Sequence, residues 1–158
     1  MNKLTLLPLV VVALSACGGE EATFSYSDSV VPADLSYSYP ADGQQQVAPR
    51  APFVARFSDP LAVVDGTSLS PVDLDAALQA VRDAIGSQVV WVRASDDAAV
   101  SFTVDLVDSD PDENIYRFDT FLLNTTQALQ PATEYRVDLT AVETVKDQTR
   151  INGGDIVF

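Results

Sequence analysis

Leu129-Gln130-Pro131-Ala132-Thr133-Glu134-Tyr135-Arg136-Val137-Asp138-Leu139 reads as a tight corner followed by a strand. Pro131 fixes the backbone ahead of the turn. Beyond it Tyr135, Val137, Leu139 and Ala141 fall on one face, while Glu134, Arg136, Asp138 and Thr140 fall on the other. That alternation predicts a strand with one dry and one wet side. A tyrosine at its first position can bury its ring and turn its hydroxyl back to the backbone of the corner. Leu129, Pro131 and Tyr135 are therefore expected to order the fold, with no part in chemistry.

A second informative block lies upstream, at residues 39–61. Asp42-Gly43 marks a turn, and Pro40, Pro49 and Pro52 keep the leading segment out of a central ladder, which predicts an edge strand. Phe53, Ala55 and Phe57 alternate with Val54, Arg56 and Ser58, so a half-buried strand follows, ended by Asp59-Pro60.

Taken together these blocks resemble a known family. The turn and entry at residues 40–47, Phe57-Ser58-Asp59-Pro60-Leu61, and Leu129-x-Pro131-x-Thr133-x-Tyr135 look like the bacterial Ig-like domain first described in the surface-layer protein SbsA. Asp147, the pair Gly153-Gly154 and a last strand over 155–158 match the ending of that family loosely. The resemblance spans about residues 36–158. It implies an all-β fold, an immunoglobulin-like β-sandwich of about seven strands, in which Tyr135 would be the tyrosine corner.

The middle of the chain departs from that pattern. Ser70-Pro71-Val72-Asp73 is a helix start, with Ser70 at the cap and Pro71 at the first helical position. Leu74, Ala77, Leu78, Val81 and Ile85 make a stripe at helical spacing, and Gly86 reads as the stop. One inserted amphipathic helix is expected at about 71–85, folded over an open edge or end of the sheets; docking of a partner on its stripe is the alternative. Residues 88–93 form a continuous apolar run. Trp91 invites comparison with the strand-C tryptophan of immunoglobulin domains, but Arg93 shares its side, which leaves Val90 and Val92 as the alternative core-facing pair. Asp96-Asp97 is a turn, Val100, Phe102, Val104 and Leu106 alternate cleanly, and 115–123 reads as one strand with a bulge near Thr120.

The N-terminal residues 1–16 read as an export signal: Lys3, then an apolar run over 4–14 that is far shorter than the roughly 20 residues a membrane span needs. Leu14-Ser15-Ala16-Cys17 resembles the bacterial lipobox, which implies lipid on Cys17, and Gly18 after it implies the outer membrane, on the periplasmic or the cell-surface side. Residues 17–35 then form a tether, and 36–158 the folded domain. Phe24 and Tyr26 either add a short strand to the domain's edge or sit near the headgroups. Cys17 is the sole cysteine, so no disulfide is available and packing must hold the domain.

The formal net charge of −14 argues against nucleic acid as a partner. With no histidine, neither a Ser-His-Asp site nor imidazole metal ligation can be built, and the acids fall mostly in turns and on wet strand faces, so no enzyme is expected. One cluster, residues 108–114, offers oxygen ligands on alternate positions. Asp108, Asp110 and Asp112 could hold weak calcium; a solvated hairpin loop is the plainer reading, and no other cofactor is expected.

The leading expectation is a non-catalytic, lipid-anchored Ig-like module of the cell envelope, acting as spacer, structural or binding domain, attached to the membrane through Cys17 and with an envelope protein or glycan as partner. The alternative is an N-terminal accessory domain of a larger secreted lipase or hydrolase. A third, a pilus- or carbohydrate-binding module, requires exposed aromatic residues, for which Tyr26, Tyr37 and Tyr39 are the candidates.

Overall fold

Order along the chain follows the alternating segments. The computed structural model describes residues 33–108, 114–144, 151 and 153–158. Among them lie nine strands and one helix: β1 (Leu35–Tyr39), β2 (Phe53–Phe57), β3 (Ala62–Asp65), α1 (Pro71–Gln88), β4 (Val90–Arg93), β5 (Phe102–Val107), β6 (Ile115–Phe118), β7 (Thr120–Thr125), β8 (Tyr135–Asp138) and β9 (Asp155–Val157). Every pairing is antiparallel. The strands make a four-stranded sheet in the order β1-β2-β7-β5, a three-stranded sheet β4-β8-β9, and the pair β3-β6.

The two larger sheets share one dry interior. Phe53 of β2 and Phe102 of β5 each approach Trp91 of β4 with ring centroids 6.1 Å apart. Phe158, just past β9, lies 6.3 Å from Phe53 and 6.2 Å from both Trp91 and Tyr135. Rings from both sheets thus interleave, and the molecule is a mostly β, antiparallel structure layered as a sandwich. Burying a Phe or Leu side chain contributes roughly 1.5–3 kcal/mol, so the buried rows Phe53/Ala55/Phe57 and Phe121/Leu123 hold the layers together.

The strand after the corner keeps its expected faces over Tyr135, Val137 and Leu139, all buried, but Ala141 is exposed. The cause is local. The Asp138 carboxylate accepts from the Thr140 N–H at 2.8 Å and from its hydroxyl at 2.6 Å, which turns the chain and ends β8; Val142 takes the buried place instead. Trp91 decides between the two faces of β4. It is 2% exposed and Val90 49%, so the tryptophan faces the core, while Val92 is buried on the other side of the strand. Arg93 does not follow Trp91 inward because its guanidinium turns to the Asp96 carboxylate, 2.6 Å away.

The predicted single strand over 115–123 is two strands in two sheets. At Asp119 the chain leaves the β3 pairing of β6 and enters the large sheet as β7, and the Asp119 carbonyl accepts from the Phe57 N–H at 2.8 Å. What reads as a bulge is a change of sheet. Its counterpart is β3, a strand absent from the sequence reading, which follows β2 past Asp59-Pro60.

The helix begins as expected, with the Ser70 hydroxyl accepting from the Asp73 N–H at 3.3 Å and donating to the Asp73 carboxylate at 2.7 Å. Val81 and Ile85 are buried, and Leu78 packs on the core. The helix does not stop at Gly86; it runs to Gln88. There the glycine serves packing: a Cβ on it would stand 3.2 Å from Val104 Cγ2, so its bare backbone lets α1 lie close on β5. The chain also joins the body earlier than residue 36. Ala33 is 2% exposed within the core, Leu35 opens β1, and the Asp34 N–H donates to Ser58 Oγ.

Candidate functional site

The two blocks that organise the sequence meet in space. The Leu129 N–H donates to the Pro49 carbonyl at 2.7 Å, the Gly43 N–H to the Val157 carbonyl at 2.6 Å, and the Val157 N–H to the Asp42 carboxylate at 2.9 Å. Tyr135 closes the corner: its ring is buried, and its hydroxyl accepts from the Gln130 N–H at 2.8 Å. Its backbone exchanges bonds with Phe158 at 2.8 and 3.0 Å. Pro131, exposed at the turn, accepts from the Thr133 hydroxyl at 3.1 Å. Behind the corner, Arg93 Nη1 donates to Gln130 Oε1 at 3.0 Å.

Between loop 41–49 and corner 129–135 lies a cleft of about 830 Å³. Gln46, Val47, Pro49, Pro131 and Phe158 are among its walls. Two wall residues hold left-handed backbone without being glycine, Gln46 at φ 61° and Ala132 at φ 52°. Several polar groups of the walls are engaged in holding them: Asp42 on Val157, Gln44 Oε1 on the Ala41 N–H, Gln130 on Arg93 and Tyr135. The cleft is a joint between the two blocks.

Several acids elsewhere are likewise tied to neighbours. Asp138 is held below the usual carboxylate range by the Thr140 hydroxyl and N–H, Asp65 by the same two groups of Thr67, and Asp96 by Arg93. Asp65-Gly66-Thr67 and Asp138-Leu139-Thr140 are one motif, an Asp-x-Thr at the end of a strand, and its spacing was visible in the sequence. A lowered pKa makes these groups poor bases. Of the acidic loop, Asp108 accepts from the Arg117 N–H at 3.0 Å and so braces the β5–β6 connection; Asp110 and Asp112 lie outside the described residues. Among the described residues no three carboxylates gather to hold a metal, and no helix is long and apolar enough to cross a membrane. Cys17, Tyr26 and the export signal also lie outside the described residues.

Fold and site together define a mostly β, sandwich-layered domain with one helix and a cleft at the tyrosine-closed corner. No protein-family model matches the chain, and no solved structure matches it. It is similar to alkane uptake protein B of Marinobacter nauticus, at 34% identity over 75 residues. That stretch is 48% of this chain and 7% of the other protein, so the chain spans only a small part of the relative's length.

Proposed function

We propose that the chain is a non-catalytic, lipid-anchored Ig-like module of the bacterial envelope. The observation that carries the reading is strand order. Set against an immunoglobulin constant-type sandwich, β1-β2-β7-β5 takes the places of strands A, B, E and D, and β4-β8-β9 those of C, F and G. In that comparison the buried Trp91 falls on strand C and Tyr135 opens strand F with its hydroxyl on the corner backbone, which supports the reading. The pair β3-β6 and α1 are additions between B and C and between D and E. Such a body supplies a rigid spacer and surfaces for binding. The lipobox-like Leu14-Ser15-Ala16-Cys17 supplies the anchor.

Labelling cells that produce the full chain with radioactive palmitate tests the anchor. The expected result is a labelled protein in the outer-membrane fraction and an unlabelled, released Cys17→Ser variant; an unlabelled wild-type chain would overturn it. The partial match to alkane uptake protein B favours a second reading, a module within a larger exported protein, whether envelope component or hydrolase. Detection of the domain within a much longer polypeptide in the native cell would select that reading.

A further inference from the structure

The outer face of the four-stranded sheet carries a feature separate from the cleft. β1 pairs with β2 so that Tyr37 stands opposite Arg56 and Tyr39 opposite Val54. Directly opposed residues share a face of the sheet. Phe53, Ala55 and Phe57 fill the core, so Val54 and Arg56 look outward, and both tyrosines with them. Tyr37 is 54% exposed and Tyr39 half-buried. Two residues apart on a strand, they stand about 7 Å from one another along it.

The same face continues through Thr120 and Leu122 of β7, opposite Arg56 and Val54. Its polar groups are arranged in pairs: Arg56 Nε donates to the Asp119 carboxylate at 3.3 Å, and Asn124 Nδ2 to the Asp105 carboxylate at 2.7 Å. A shallow depression of about 670 Å³, lined by Tyr37, Val54, Arg56, Asp119 and Thr120, lies across the β1-β2-β7 face, with Tyr39 outside its lining.

We propose that this face binds a neutral glycan chain. Tyr37, more than half exposed, and the part of Tyr39 that reaches solvent offer apolar area to the C–H faces of pyranoses, while the flanking guanidinium, carboxylate, amide and hydroxyl groups meet sugar hydroxyls. Charge decides against the alternatives of either sign. Arg56, the one cation lining the depression among the described residues, is already matched by Asp119, and on a chain of net charge −14 an anionic polymer is repelled. The carboxylates face Arg56 and Asn124, which leaves little for a cationic peptide to gain. Addition of a partner strand to the β1 edge is opposed by the break in register between Leu35 and Tyr37. The inference is independent of the lipid anchor.

The test is calorimetric titration of the full chain, held in detergent, with a β-1,4-linked glucose hexamer, an N-acetylglucosamine hexamer and polygalacturonate. Binding of at least one neutral hexamer is expected, weakened roughly tenfold or more by Tyr37→Leu and by Tyr39→Leu. Tyr37→Phe, which keeps the ring, should bind as wild type, and so should Val63→Ala on β3. Leucine keeps an apolar side chain on the strand, and an unchanged melting temperature would show that the fold is intact. The proposal is overturned if neither hexamer binds at about 10 mM, if Tyr37→Leu binds as well as wild type, or if polygalacturonate binds as tightly as the hexamers.

Discussion

The sandwich body and the wing formed by β3, β6 and α1 reach burial by different routes. In the body, whole rows of side chains disappear from solvent, and rings from opposite sheets meet around Trp91. The wing has two short strands, which bury Ala62 and Phe118 but leave Val63 exposed, and a helix whose buried residues are Val81 and Ile85. It relies on close approach: Gly86 against Val104, and Gly66, where a Cβ would meet the Asn114 carbonyl at 3.0 Å. The body should therefore set global stability, and the wing should be the part that opens first.

Truncation at the centre of the body is the strongest way to break that contrast. Trp91→Ala should cost about 3–5 kcal/mol and lower protection from hydrogen exchange throughout the chain. In the wing, Ile85→Ala should cost about 2–4 kcal/mol, with exchange rising in α1, β3 and β6 before the β2 and β7 amides respond. Equal loss of protection everywhere in both variants would show that body and wing are one cooperative unit.

Smaller effects sharpen the comparison at the corner and at the strand ends. Tyr135→Phe leaves the Gln130 N–H without its acceptor and should cost about 1–2 kcal/mol by urea unfolding; an unchanged midpoint would remove the corner bond from the account. The two Asp-x-Thr motifs, one in each region, give a pH signature. Folding lowers the pKa of Asp65 and Asp138 below the ordinary 3.8, so each contributes stability that is complete above that value and is lost as pH falls through the folded-state pKa. Thr140→Val should flatten the acid limb of body unfolding, and Thr67→Val that of the wing, both measured by thermal melts between about pH 2 and 5.

How much of this was legible in the sequence follows from the strength of each local signal. Phe53/Ala55/Phe57 and Tyr135/Val137/Leu139 alternate between large apolar and polar neighbours, and both strands lie where that pattern puts them. The cap at Ser70 was equally readable, because capping is settled within four residues. The face of Trp91 stays open in the sequence because a charged neighbour at i+2 mimics an outward side, and only the Asp96 partner explains why Arg93 tolerates its position. Gly86 carries two opposite meanings, helix stop and close packing, and Val104, which decides between them, is distant in sequence. The switch at Asp119 has no local signature either, since one continuous extended segment can serve two sheets in turn. The pairing of Tyr37 and Tyr39 with outward residues needed the β1–β2 register, which alternation alone does not give.

The central claim is that two sheets close face to face over one set of rings. A nuclear Overhauser spectrum of the full chain reads it directly, through the Trp91 indole protons. Cross-peaks from that indole to the rings of both Phe53 and Phe102 are predicted, with Phe158 as a third neighbour. A folded, dispersed spectrum in which the indole sees neither phenylalanine would contradict the layered arrangement and the strand order built on it.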